Sequence, residues 1–302
     1  MLFVFNLGFI AVPLNLLFSN LFSIVFLVSY IIISKSWKKC AKGISKTTFK
    51  CFPSFIKLAI PSMFMLCAEW WSYQVHLFVA GTISTPALTS ISILFTATAI
   101  FYNFSFCYAV VESVIVGNSM GEGNIKKAKS YSRIIVIMSI VTQIFCMFWF
   151  YTLREYWPYL FTTDSDVIDI LVDVVLIVSI LAIIDSAQIT IGGILRGVGK
   201  QHIGAISYLL MFYLIGIPVG TILALKVGMD TKGQWIGMLL ASIFILLVML
   251  LYYIIFLDWN EALEESNKRL FQSLDLIIEN NTEIDSSSVD SDEQKLDCDN
   301  IV

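Results

Sequence analysis

Charge is scarce in this sequence. Only 14% of its 302 residues are Asp, Glu, Lys or Arg, against roughly a quarter in an ordinary soluble domain, while 58% are hydrophobic and the mean hydropathy is +0.82. That shortage excludes water as the solvent for most of the chain. Paired cysteine is missing too: Cys40, Cys51, Cys67, Cys107, Cys146 and Cys298 show no metal-type spacing, and several sit inside apolar runs. Neither disulfides nor zinc are expected. There is no phosphate-cradling glycine loop, no nucleophile with a base beside it and no cluster of metal ligands, so an enzyme, a catalytic residue, a metal or an organic cofactor has no basis. The first ten residues lack a basic stretch and a small-residue cleavage site, and a cleaved signal peptide is not expected. Nucleic acid is not suggested as a partner either. The net charge of −4 is split, with most of the acid after Leu257 and most of the base in short loops.

What the chain does have is length of apolar run. A helix needs about 20 apolar residues to cross a hydrocarbon core of about 30 Å, and lipid leaves the backbone no partner outside a helix. Seven such runs are read, over Pro13–Ile33, Leu58–Ala80, Leu88–Val116, Ile134–Tyr151, Val174–Gly193, Ile203–Leu225 and Trp235–Leu257. The fold class is all-α, a polytopic transmembrane helical bundle. Met1 to Ile10 is apolar but too short to cross, and reads as the end of a helix whose beginning is absent. Lys35, Lys38, Lys39, Lys42, Lys46, Lys50 and Lys57, then Lys126, Lys127, Lys129 and Arg133, then Arg196 and Lys200, fall in loops on one side. Only Arg154, Lys226 and Lys232 fall on the other. The positive-inside rule makes the first side cytoplasmic and puts the C-terminus there. Asp258 to Leu276 reads as an interfacial amphipathic helix with Leu263, Leu270 and Leu274 on its apolar face. The acidic, Ser-rich stretch from Glu283 to Asp299 has too little apolar surface to order itself, and the sequon at Asn280, Asn281 and Thr282 is read as chance.

Three acids lie inside apolar runs: Glu69, Glu112 and Asp185. An ionised carboxylate costs several kcal/mol at bilayer depth, so each must face a polar cavity, find a partner or be neutral. Glu69, Tyr73 and His76 share one helical face at i, i+4 and i+7, beside Met65 and Ser72. A carboxyl group there can take up and release a proton as its exposure alternates, although a structural hydrogen bond between helices is the alternative, and for His76 packing is the favoured reading. Asp185 and Gln188 share a face one turn before Gly192, suited to a cation or a cationic substrate. Glu112 lies one turn from the membrane surface, where snorkelling to water competes with function. Trp37, Trp157 and Trp235 sit near span ends and read as an interfacial belt. Trp70 and Trp71 point about 100° apart, so one of them is expected to line a pocket. Pro61, Gly216, Pro218 and Gly220 are read as helix interruptions, and a glycine cluster, Gly192, Gly193, Gly197 and Gly199, surrounds Arg196.

Leu58-Ala59-Ile60-Pro61-Ser62 and Met65-Leu66-Cys67-Ala68-Glu69-Trp70-Trp71-Ser72-Tyr73 resemble the seventh helix of the multidrug and toxic compound extrusion (MATE) family, in its eukaryotic branch. The same likeness runs through Val116-Gly117-Asn118-Ser119-Met120-Gly121 with Gly123 and Ala128, Asp185-Ser186-Ala187-Gln188, and Gly193-Ile194-Leu195-Arg196-Gly197-Val198-Gly199-Lys200-Gln201. It continues in Tyr213-Leu214-Ile215-Gly216-Ile217-Pro218 and Gly233-Gln234-Trp235-Ile236-Gly237, covering about Phe5 to Trp259. The resemblance implies twelve helices in two six-helix lobes, of which this chain holds the C-terminal lobe, the helix before it and a stub. The domains are then 1–34, the end of the first lobe; 35–53, a Lys-rich cytoplasmic connector; 54–258, the six-helix lobe; and 259–302, an acidic cytoplasmic tail. It also implies a cation and substrate site at Glu69, Asp185, Gln188 and Tyr213, joined by Tyr73, Trp70 and Gln74, with Glu112 and His76 as further candidates. Three positions depart from the family pattern. Gln74 stands where many members have a second acid, Ile115 where an arginine is usual, and Glu112 where a small residue is usual, so coupling stoichiometry or substrate charge is expected to differ.

The function these readings support is a secondary active antiporter exporting cationic or amphipathic organic compounds in exchange for protons or sodium ions, in a plasma or vesicular membrane. Its partners are an organic cation or amphipathic small molecule, the lipid bilayer, and a missing N-terminal lobe or second copy, since alternating access needs two bodies. A lipid-linked saccharide flippase is a rival, disfavoured because no Lys or Arg is read in the middle of a span. A non-transporting half-transporter or scaffold is another, following from the missing lobe.

Overall fold

A computed structural model describes residues 10–35, 52–269 and 271. The stub before Ile10, Trp37, most of the Lys-rich connector, Leu270, Leu274 and the acidic tail with its sequon lie outside the described residues. Every described element is helical. Two compact units are formed, Met1–Lys50 and Cys51–Val302. Within the first lies α1, Ala11–Ser34, an uninterrupted helix of 24 residues that ends where Lys35 turns left-handed at φ 53°.

The second unit begins with α2, Phe52–Ile83, of 32 residues. Ser84 then turns the chain: its hydroxyl accepts from the Ala87 amide at 3.1 Å, and Pro86 occupies the first turn of α3, Thr85–Gly121. Both features are standard helix openings. Gly123 at φ 71° and Asn124, whose side chain accepts from the Lys127 amide at 3.0 Å, start α4, Ile125–Thr152. Asp164 caps α5, Ser165–Val198, and Gly199 at φ 80° ends it as a left-handed C-cap. Next come α6, Gln201–Met211, a π-helical turn over Phe212–Gly216, and α7, Ile217–Leu225. The last crossing is α8, Asp230–Leu251, extended by a second π turn, Tyr252–Phe256. A further helix occupies 259–269.

Six of these helical stretches are long and apolar enough to cross a membrane: Pro13–Ser34, Thr85–Gly121, Ile125–Thr152, Ser165–Gly197, Gln201–Leu225 and Asp230–Phe256. The seventh expected crossing, α2, has the length but is not among them, and Glu69, Ser72, Tyr73, Gln74 and His76 fall in its middle. Pro61 does not break it, and α2 runs straight through that residue. The expected interruption at Gly216 and Pro218 is real, since the missing amide of Pro218 is absorbed by the π turn just before it. Such turns are common where a helix must change its hydrogen-bonding register.

The bundle is arranged with its small and polar side chains inside. On α4 the buried positions include Ser132, Ser139, Gln143 and Met147, whereas Ile137, Val141, Phe145 and Phe148 are exposed. Lipid makes that arrangement favourable, because apolar surface gains nothing by hiding from hydrocarbon while hydroxyl groups do. Ser139 and Ser186 hydroxyls meet at 2.7 Å and Thr190 donates to Ser139 at 2.9 Å, tying α4 to α5. Helix α5 is the centre, packed by α3, α4 and α8. Trp157 does not lie in an interfacial belt: it is buried and stacked on Phe150 with centroids 4.7 Å apart.

The helix at 259–269 docks on the bundle rather than lying free in the interface. Trp259 and Ala262 are buried with Val116, Met120, Ala128, Ile194 and Val198, and Lys129 sits 5.6 Å over the Trp259 ring. Lys200 Nζ pairs with Glu265 at 2.8 Å, and Arg269 donates to the Val198 carbonyl at 3.4 Å, at the negative end of the α5 dipole. The Lys200 bond holds the Glu265 carboxyl below its ordinary value. Its contribution to docking is therefore full above the usual carboxylate range and is lost as pH falls through the lowered value. Hydrogen-exchange protection of the amides in 259–269, measured relative to their intrinsic exchange rate at each pH, is expected to fall on acidification below about pH 4, and that change is expected to vanish in Lys200→Ala.

Candidate functional site

The α2 stripe turns the way its spacing requires. Met65, Glu69, Ser72 and His76 are buried, while Trp71, Gln74 and Phe78 on the other side are exposed. On α5, Asp185, Ile189, Gly192 and Arg196 follow one another at i, i+4, i+7 and i+11, on one face of the helix. The two stripes line neighbouring spaces inside the bundle that have Glu69, Tyr102 and Ile189 in common.

The cavity shared by the two acids holds about 50 Å³, room for a few waters or a bare cation and far below the space a drug-sized molecule fills. Glu69, Trp70 and Tyr73 line it from α2, Tyr102 and Ser105 from α3, Gln143 from α4, Asp185 and Ile189 from α5, and Trp235 from α8. Glu69 is 2% exposed and its Oε1 has no hydrogen-bond partner among the described residues. Asp185 is better held: Gln188 Nε2 donates to Oδ1 at 2.8 Å and the Tyr73 hydroxyl lies 3.5 Å from Oδ2. An aromatic wall completes the space. Trp70 meets Phe95 and Tyr102 edge-on at 5.5 and 5.7 Å, and Tyr73 lies 5.4 Å from Phe95 and 6.4 Å from Trp235. Two acids facing aromatic rings offer an organic cation both charge and π-faces.

Glu69 also lines a second space, of about 20 Å³, with Met65, Tyr102, Ile189, Tyr208 and Arg196. The guanidinium of Arg196 reaches inward to within 4.0 Å of Met65 Sδ, and none of the ion pairs among the described residues includes it. Arg196 was expected in a cytoplasmic loop. Instead it belongs to the last turn of α5, and its positive charge lines the smaller space together with Glu69.

The remaining candidates fall in different places. Gln188 is buried against Asp185, with its own Oε1 unpartnered. His76, 5% exposed, lines a separate small space behind Tyr73 and Trp235, and its Nε2 has no partner. Tyr213 is half-buried on the π turn after α6 and Gln74 is exposed, and neither lines the cavity. Glu112 is buried elsewhere, between α3, α4 and α5. Trp235 was expected at an interface but is 4% exposed and forms part of the cavity wall. Among the described residues no group of three or more His, Cys, Asp or Glu could hold a metal ion.

Tyr102, Ser105, Gln143, Trp235 and Arg196 went unrecognised in the sequence as residues lining these spaces. The signal for Arg196 was there, in its i+11 spacing from Asp185. Tyr102 and Trp235 carry no such signal, since an aromatic inside an apolar run looks the same whether it meets lipid or a cavity.

The MatE family model matches residues 61–222, more than half of the chain. Multidrug and toxin extrusion protein 1 of Homo sapiens is 31% identical over 261 residues, which is 86% of this chain and 46% of that protein. Protein DETOXIFICATION 49 of Arabidopsis thaliana is 31% identical over 272 residues, 89% of this chain and 54% of its own length. The crystal structure of the eukaryotic MATE transporter AtDTX14 superposes with a TM-score of 0.81 at 27% identity, covering 89% of this chain and 60% of that one. The chain thus spans about half the length of the curated relatives it matches.

Proposed function

The chain belongs to the MatE family, and from that membership we propose that it supplies the cation- and substrate-binding lobe of an exporter that drives cationic or amphipathic organic compounds out against an inward flow of protons or sodium ions. The observation that carries this reading is the cavity shared by Glu69 and Asp185 and walled by Trp70, Tyr73, Tyr102 and Trp235. Asp185 is oriented by Gln188 and Tyr73, while Glu69 has an oxygen free for an incoming ligand. A proton or sodium ion arriving from outside occupies the acids and removes the charge that held the substrate. When the ion leaves toward the cytoplasm, the acids are again anionic and draw in the next organic cation.

Arg196 adds a counter-charge to this cycle. Facing the same small space as Glu69, it competes with both ion and substrate for that carboxylate and keeps an empty, ionised site from being stranded in a low dielectric. One arginine against two acids leaves the cavity suited to cations, which argues against a flippase for anionic lipid-linked saccharides. The space is too small for an organic compound as it stands, so binding requires the lobe to open against a second body, either another lobe of a longer polypeptide or a second copy. The Lys-rich loops and the docked 259–269 helix then face the cytoplasm.

The test is transport. The protein expressed from its own gene is purified into liposomes loaded with ethidium, a fluorescent organic cation, and efflux is followed under an imposed proton gradient, an imposed sodium gradient, or neither. Efflux is expected to accelerate under one opposing gradient and to lag without it. Equal efflux under all three conditions would overturn the antiport reading.

A further inference from the structure

Glu112 takes no part in either cavity. It is 0% exposed, and both carboxyl oxygens are sealed from solvent without a hydrogen-bond partner among the described residues. None of the ion pairs among those residues includes it. Its surroundings are specific. From α5 comes bare backbone at Gly193, where a Cβ would fall 3.0 Å from Glu112 Cβ and 2.5 Å from the Ala109 carbonyl oxygen, so α3 and α5 close on this spot because no side chain intervenes. From α4 comes the Ser132 hydroxyl, which as placed donates to the Ala128 carbonyl at 2.9 Å and so turns a lone pair, not its proton, toward Glu112. The charged and titratable groups nearby are Arg133 on α4 and Tyr253 on the second π turn.

As placed, no described residue donates to the Glu112 carboxyl, and ionising it at this depth without a donor is unfavourable. A neutral acid meets no such cost, because its own proton can go to Ser132. We propose that Glu112 is a second proton-binding site, separate from the acids of the cavity, that bonds α3 to α4 through Ser132 when protonated, letting α3 lie against the bare backbone of α5, and that parts α3 from α5 when it ionises. The proton comes from and returns to water at the end of the bundle that carries Lys126, Lys127 and Arg133. Ionisation is accommodated by the two helices parting far enough to hydrate the carboxylate. This site goes beyond the exporter reading and stands without it, because it concerns a proton and a helix contact, not the cargo.

The experiment is infrared difference spectroscopy on the full protein in liposomes, stepping the pH and reading the carbonyl stretch that only a protonated carboxyl group shows. With every pH step kept above about 6, where exposed Asp and Glu side chains stay ionised, one titrating band is expected to survive in a Glu69→Gln, Asp185→Asn double variant, and adding Glu112→Gln is expected to remove it. Should the triple variant fail to fold, Ser132→Ala in the double variant decides: with its acceptor gone, the Glu112 band is expected to move to higher wavenumber without disappearing. The proposal is overturned if the double variant shows no titrating band, if the band persists in the triple variant, or if Ser132→Ala leaves it unmoved. No transport is measured, so failure of the exporter reading would not produce any of these results.

Discussion

Glu69→Gln is expected to lower gradient-driven efflux of ethidium by about 30-fold or more, with the protein present in the membrane at its normal level. The figure follows from the burial of the group. Removing the carboxylate from the proposed contact between Glu69 and a bound ion or organic cation costs about 2 kcal/mol at the least, and about 1.4 kcal/mol corresponds to each tenfold change. Glutamine keeps the shape and one acceptor, so a space-filling role for Glu69 would leave efflux near normal, while a charge-carrying role would not. Asp185→Asn is expected to act in the same direction, with the added loss of orientation from Gln188 and Tyr73, whose bonds to the carboxylate are 2.8 and 3.5 Å long. Exposed Glu261, outside the cavity, is the matching control, and Glu261→Gln is expected to change nothing. If both Glu69→Gln and Asp185→Asn efflux normally, the two acids do not carry the exchange.

How far this site can be read without coordinates depends on contrast. Glu69 and Asp185 stand out because a carboxylate inside an apolar run violates the solvent that the run implies, and period 3.6 then places Tyr73 and Gln188 with them. Tyr102 and Trp235 offer no contrast and had to be found by packing. Arg196 was misplaced for a more instructive reason. It was counted with the loop charges, although the glycines around it are open to two readings, a bendable helix or close packing, and in this bundle the small residues mark close helix approach. A Cβ on Gly197 would come within 2.7 Å of Val116 Cβ, and one on Gly193 within 2.5 Å of the Ala109 backbone, so this segment is the tightest part of a helix. Pro61 was misjudged similarly, as a break that α2 does not make. The apolar runs themselves were legible because hydrocarbon thickness fixes their length, whereas the polar middle of α2 is the mark of its function and lowers the very hydropathy by which a span is recognised.

The same glycine logic predicts the largest effect on stability. Gly237 on α8 sits where a Cβ would lie 2.5 Å from the Gly216 carbonyl oxygen and from both the nitrogen and Cα of Gly220. All three are backbone atoms, held by the π turn and the first turn of α7, so no side chain can swing aside and the helices must separate. Overpacking of this kind costs about 1–3 kcal/mol. At roughly 2–4 °C per kcal/mol for a body of this size, Gly237→Ala is expected to lower the thermal midpoint of the purified protein by up to about 10 °C, and Gly237→Val to prevent assembly. Gly81→Ala reverses the sign. There a Cβ would meet only Leu88 Cδ2, at an ordinary 3.9 Å, and alanine favours a helix by about 1 kcal/mol over glycine, so the midpoint is expected to hold or rise. If both variants shift the midpoint alike, the close approach of α8 to the π turn does not limit stability. Opposite shifts would mean that the contact at Gly216, Gly220 and Gly237 holds α8, and with it Trp235, in place beside the acids of the cavity.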